Sequence, residues 1–154
     1  MVKIAATEER SFTVQAPLGE VRDFFCNPVL LRDITADVES FEHVEPRRAR
    51  WILVEKVEKG VRFRADYTVE YDTPGPDQVV WRSVAGNMDV DGEVKLREID
   101  SEHTEIHYRE TIAPDLPITR ITAVLFKPIV ARELRQDISG FIERVAARWG
   151  QSTE

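Results

Sequence analysis

A single cysteine, Cys26, stands in a chain of 154 residues, so no intramolecular disulfide can form and a reducing compartment fits. Cys26 reads as a small apolar residue of the first helix. No apolar run approaches the ~20 residues that span a bilayer. The opening Met1-Val2-Lys3-Ile4-Ala5-Ala6 meets Glu8, Glu9 and Arg10 too soon to hold a signal-peptide core, and the expected location is cytoplasmic. Positive charge is short as well. Against 28 acidic residues stand 21 basic ones, a net charge of −7, which argues against nucleic acid as a partner and against a polybasic face for anionic membranes. The sequence also lacks a Gly-x-Ser-x-Gly elbow, a Cys-x-x-Cys pair, a phosphate loop and a Gly-x-Gly-x-x-Gly turn. No cofactor and no metal are expected. His43, His103 and His107 do not form a spaced ligand set and read as solvated surface residues.

What is present is an ordered change of period. Residues 3–15 alternate like a strand, with Phe12 and Val14 on one side. Pro17 suits a helix start, and Leu18, Val21, Phe24 and Phe25 repeat at helical spacing. Asn27-Pro28 ends that helix and caps a second short one carrying Val29, Leu30 and Leu31. From Val38 the period becomes two. Val61, Phe63, Ala65, Tyr67, Val69 and Tyr71 share one face, and charged residues the other, as in an antiparallel sheet covered on one side. Val79 and Trp81 continue the inward set after the turn at Pro74-Gly75-Pro76-Asp77, followed by Val90, Gly92, Val94 and Leu96, then Thr104, Ile106, Tyr108 and Ile112. Pro114 and Pro117 are expected to end the sheet. Whether Trp51 and Leu53 or Ile52 and Val54 face inward is left open by their neighbours. The chain closes on a long helix whose apolar stripe is read as Ile118, Ile121, Leu125, Ile129, Leu134, Ile138, Phe141, Ile142, Val145 and Trp149, interrupted at Pro128. The fold class is therefore α+β: a curved antiparallel sheet of about seven strands, two short helices after the first strand, and a long C-terminal helix over the concave face. Residues 1–154 read as one domain. The looser end of the helix, toward residues 121–126, is the expected mouth of the enclosed space.

One calcium-like pattern is a decoy. Asn87, Asp89, Asp91, Gly92, Val94 and Glu98 fall at EF-hand positions, yet both flanks are strand-patterned where that loop needs helices. Gly92 is better explained by a close backbone approach or a bulge.

The inward polar residues carry the chemistry. Glu110 shares parity with Ile106, Tyr108 and Ile112. It either faces the enclosed space, where burial would raise its pKa and let it exchange a proton, or sits at the rim just before Pro114. Tyr67, Tyr71 and Tyr108 either orient a ligand through their hydroxyls or pack as core. The candidate ligand-binding set is Trp51, Phe63, Tyr67, Tyr71, Trp81, Leu96 and Tyr108 from the sheet, with Leu125 and Ile129 from the helix. Glu110 is the candidate catalytic residue.

The order strand, two short helices, strands and long helix resembles the helix-grip domains of the SRPBCC superfamily, which includes START lipid-transfer domains, birch-pollen-allergen-like proteins and bacterial polyketide cyclase/dehydrase proteins. The resemblance rests on Val14-Gln15-Ala16-Pro17 with Val21-Arg22-Asp23-Phe24-Phe25, on Val80-Trp81-Arg82-Ser83 with Gly86-Asn87 and Gly92-Glu93-Val94, and on His103-Thr104-Glu105-Ile106 with Tyr108 before the proline-interrupted helix. Within the superfamily the chain looks most like small polyketide-cyclase-related and coenzyme-Q-binding-like proteins. The resemblance implies a cavity for a lipid, quinone or polyketide, and no universal catalytic residue. Three functions follow as alternatives: binding or transport of a hydrophobic small molecule, a polyketide aromatase/cyclase-like enzyme, or a protein-interaction module.

Overall fold

The structure, a computed structural model, describes residues 1–150, so residues 151–154 of the expected domain lie outside the described residues. The chain opens with β1 (Val2–Lys3) and β2 (Ala6–Val14), then α1 (Leu18–Phe25) and α2 (Pro28–Arg32). Asn27 caps α2 as its sequence suggests, accepting from the Val29 N–H at 3.1 Å. The strands that follow are β3 (Val38–Glu45), β4 (Arg48–Leu53), β5 (Lys56–Glu58), β6 (Val61–Phe63), β7 (Asp66–Gly75), β8 (Gln78–Gly86), β9 (Met88–Asp100) and β10 (His103–Leu116). Helix α3 (Arg120–Arg148) completes the chain.

Eight of these strands form one antiparallel sheet in the order β1-β10-β9-β8-β7-β4-β3, with β2 also paired to β10. The α+β helix-grip expectation holds. Its count of about seven rises to eight because the first strand is broken at Ile4-Ala5, its two pieces pairing different stretches of β10. The short β5–β6 hairpin pairs only with itself. Residues 61–71, which alternate without interruption, therefore divide. Val61 and Phe63 leave the sheet with the hairpin, while Tyr67, Val69 and Tyr71 stay in it. Trp51 and Ala49 are buried on the inner face and Val54 is exposed, which settles the phase of β4.

Two expectations are corrected. Pro114 does not end the sheet. It has no N–H to give, but the ladder continues past it through Asp115 N–H to Asn87 C=O at 2.9 Å, and β10 runs to Leu116. Nor is the apolar stripe of α3 a single one. The helix buries Ala123, Phe126, Ala131, Ile138, Ile142 and Val145, while Ile121 and Leu125 are 82% and 72% exposed. Nine residues separate Ile129 from Ile138, about two and a half turns, so the two stand on opposite faces.

Packing divides α3 along its length. Its second half enters the main core, where Ile138, Ile142 and Val145 meet Phe12, Val14, Phe24 and Phe25. The Trp149 ring stands edge-on to Phe24 at 5.3 Å, and its N–H donates to Glu20 at 2.7 Å, tying the helix end to α1. Its first half rests on a smaller cluster in which Ile4, Leu116, Ala123 and Phe126 are buried.

Candidate functional site

Between the concave sheet face and α3 lies a cavity of about 310 Å³. That volume is at the lower end of the ~300–1,000 Å³ usual for small-molecule sites. Most of its wall is apolar, with Leu116, Ile118, Phe126 and Val130 closing the end under the first half of α3. The polar lining residues gather elsewhere. Thr35 and Asp37 from the loop after α2, Lys56 and Glu58 from the hairpin, and Asp137 and Arg144 from α3 form a rim. Lys56 reaches across this rim to Asp137 at 2.9 Å. Of residues 121–126, read as the mouth, only Phe126 lines the cavity, and it belongs to the apolar end rather than to the polar rim.

At the centre three strands contribute one construction. Trp81 on β8 is in register with Gly92 on β9, and Gly92 with Glu110 on β10. Trp81 and Glu110 are therefore two ladder spacings apart, about 9–10 Å. The indole spans that gap by lying over Gly92. A Cβ at residue 92 would stand 2.2 Å from Trp81 Cε2 and 2.3 Å from its Nε1. The absent side chain is what lets Trp81 Nε1–H donate to Glu110 Oε2 at 2.8 Å. Phe25 from α1 stacks parallel to the indole at 6.3 Å, and Tyr108 flanks it at 5.6 Å. Tyr108, two residues before Glu110 and on the same face, donates its hydroxyl to Glu110 Oε1 at 2.9 Å.

Both oxygens of Glu110 thus receive a donor, yet burial dominates its ionisation. Desolvation raises its pKa, and the bonds from Trp81 and Tyr108 only partly oppose that. The phenols respond in the same direction. Burial first, and the nearby Glu110 charge, push Tyr67, Tyr71 and Tyr108 up, so all three stay protonated and act as donors. The Tyr71 phenol is buried on the same wall, beside Trp51. The Tyr67 hydroxyl faces the cavity and has no hydrogen-bond partner among the described residues. An apolar chamber with the free Tyr67 hydroxyl and one carboxyl whose pKa is raised suits the carbonyl or hydroxyl of an otherwise apolar molecule.

Of the candidate residues, the structure brings Trp51, Phe63, Tyr67 and Tyr71 to the cavity wall, together with Trp81, Tyr108 and Glu110. Glu110 lies well inside, since β10 continues six residues beyond it. Three candidates fall elsewhere. Leu96 is buried in the core away from the cavity, Ile129 is half-buried off it, and Leu125 points to solvent. Their neighbours Phe126 and Val130 take the places expected of Leu125 and Ile129, one helical position on. Phe25 was legible as a core residue but not as a wall, and no local pattern marked the Lys56–Asp137 bridge.

No family model matches the sequence, and no curated protein does. Solved structures share its shape. A START superfamily protein from Mycobacterium smegmatis is 9% identical over 93% of this chain and 96% of its own, with a TM-score of 0.69. The Zhui aromatase/cyclase from Streptomyces sp. R1128 is 15% identical over 94% and 93%, with a TM-score of 0.68. A point mutant of norcoclaurine synthase from Thalictrum flavum, in complex with a transition-state analogue, is 8% identical over 96% and 98%, at 0.57. At these identities the common property is the fold, and at that level the SRPBCC resemblance holds.

Proposed function

We propose that this chain binds a hydrophobic small molecule with one polar end, of lipid, quinone or polyketide type, in the cavity between sheet and α3. The observation that supports the reading most is the Trp81–Glu110–Tyr108 network, with Tyr67 and Tyr71 on the same wall, inside an otherwise apolar chamber. The apolar body of the ligand occupies the end lined by Phe63, Phe126 and Val130, and its oxygen accepts from Tyr67. Carriage or sensing needs nothing more. The test is mass spectrometry of the purified protein, native and then solvent-extracted, followed by titration with a fluorescent apolar probe. A stoichiometric co-purifying molecule with a carbonyl or hydroxyl supports the reading. A protein that is empty and ignores the probe, and whose Tyr67→Phe and Trp81→Leu variants behave alike, overturns it.

The raised pKa of Glu110 favours one second reading, an aromatase/cyclase-like enzyme. There Glu110 takes a proton from an enolising carbon of a poly-β-keto chain and returns it to a departing hydroxyl, releasing water, while Tyr67 polarises the carbonyl. Glu110→Gln separates the two. A carrier keeps its probe affinity within about threefold, the loss of a weak neutral hydrogen bond at most, whereas an enzyme loses turnover by about 10²-fold or more.

A further inference from the structure

The solvent face of α3 holds a feature that the cavity does not use. Ile121, Val124 and Leu125 are 82%, 74% and 72% exposed, and Pro128 extends the row at i, i+3, i+4, i+7 spacing, opposite the buried Ala123 and Phe126. The same stretch is cationic. From residue 116 to 132 the sequence carries Arg120, Lys127 and Arg132 and no acidic residue, in a protein with seven more acids than bases. All three cations are exposed, and none is paired with a described residue. We propose that the first half of α3 is a docking surface for an anionic lipid bilayer, its aliphatic row entering the interface while Arg120, Lys127 and Arg132 meet the headgroups.

The charge pattern selects this occupant. A second copy seated on the row would bring like charges together, whereas an anionic leaflet neutralises them, at roughly fivefold in affinity per basic residue near the surface. The row also holds no Trp, Tyr or Met, the side chains that anchor protein interfaces. Net negative charge does not oppose the contact, because screening confines each interaction to about 8 Å at physiological salt and only the local charge counts. An amphipathic helix with aliphatic residues on one side and bases beside them is the usual form of an interfacial segment. Here it occupies the outer face of the turns whose inner face buries Phe126, a residue of the cavity wall.

The experiment is flotation of the full chain with vesicles of phosphatidylcholine alone and of phosphatidylcholine with about one-third phosphatidylglycerol. The wild type is expected to float with the anionic vesicles, and to release when about 1 M salt shortens screening to about 3 Å. Ile121→Gln, Val124→Gln and Leu125→Gln together should cut partitioning at least about tenfold, and Lys127→Glu should erase the anionic preference. Glutamine keeps helix propensity, and these side chains face away from the cavity, so circular dichroism and apolar-probe affinity should not change. That second readout separates this surface from the cavity reading. Should the triple variant fold poorly, Leu125→Gln alone is expected to show the same direction. Absence of flotation, or flotation unchanged in these variants, overturns the proposal. So does self-association of the wild type, abolished by the triple substitution, without vesicle binding, which assigns the row to a second copy.

Discussion

Gly92→Ala tests the central construction with one methyl group. The added Cβ would lie 2.2 Å from the Trp81 ring, whereas ordinary contact begins near 3.4 Å. The indole must therefore move by more than about 1 Å, and with Phe25 stacked on its other side it can move only by opening its bond to Glu110. Overpacking of this kind costs about 1–3 kcal/mol. Leaving the buried carboxyl short of a donor costs about 1–3 kcal/mol more. Replacing a strand glycine by alanine returns about 0.5–1 kcal/mol of backbone entropy. The net expectation is a destabilisation of about 3 kcal/mol, which lowers the Tm of a chain this size by about 6–12 °C. Urea denaturation followed by far-UV circular dichroism measures it. The cause is then isolated by a cycle with Trp81→Leu: once the indole is gone the methyl has room, so the double variant should be at least about 1 kcal/mol more stable than additivity allows. A Gly92→Ala protein within about 0.5 kcal/mol of wild type, or a strictly additive pair, would refute the reasoning.

Other expectations follow from the same geometry. Because burial raises the pKa of Glu110 above its unfolded value, its contribution to stability is fullest below the ordinary carboxylate range and is lost as pH rises through the raised value. Glu110→Gln should be about 1–2 kcal/mol less stable than wild type at pH 4, since its amide group opposes one of the two donors, and the gap should narrow toward pH 8. A gap that widens with pH, in urea midpoints across that range, would mean that the carboxylate is the favoured form. Lys56→Met removes a bridge whose two side chains are half exposed, so stability should change by less than about 1 kcal/mol. Entry and exit of an apolar probe in stopped flow should nevertheless quicken, and unchanged rates would show that the rim bridge does not limit passage. Val130→Phe should fill the apolar end of the cavity and weaken probe binding, whereas Leu125→Phe should not, and equal effects in fluorescence titration would contradict the phase assigned to α3.

The sheet was legible because strand parity survives almost anything except a bulge: Tyr67, Val69 and Tyr71 face inward as their alternation demands, and so do Trp81, Val94 and Tyr108. Gly92 was readable as a point of close approach, but not what approached, since its neighbour comes from another strand. The helix was harder. Apolar residues occur on more than one side of α3, so the correct face in its first half depends on the small cluster beneath it rather than on periodicity. Pro114 misled for a related reason. A proline inside a strand is tolerated when the next N–H carries the ladder, and that is a property of the partner strand. The rim bridge joins residues that are 81 positions apart and leaves no local trace.

The division of α3 between two clusters has a consequence for how the molecule breathes. Its second half packs into the main core, so its opening is expected to coincide with unfolding of the whole domain. Its first half rests on four buried residues, and Pro128 removes one rung of the hydrogen-bond ladder between the halves. Amide exchange along α3 should thus fall into two regimes, with protons before residue 128 lost through a low-energy sub-global opening and those after about residue 134 only through the global one. A single helix would then be at once the most stable and one of the least stable parts of the protein, and the wall of the chamber could release its contents without disturbing the fold that holds the rest.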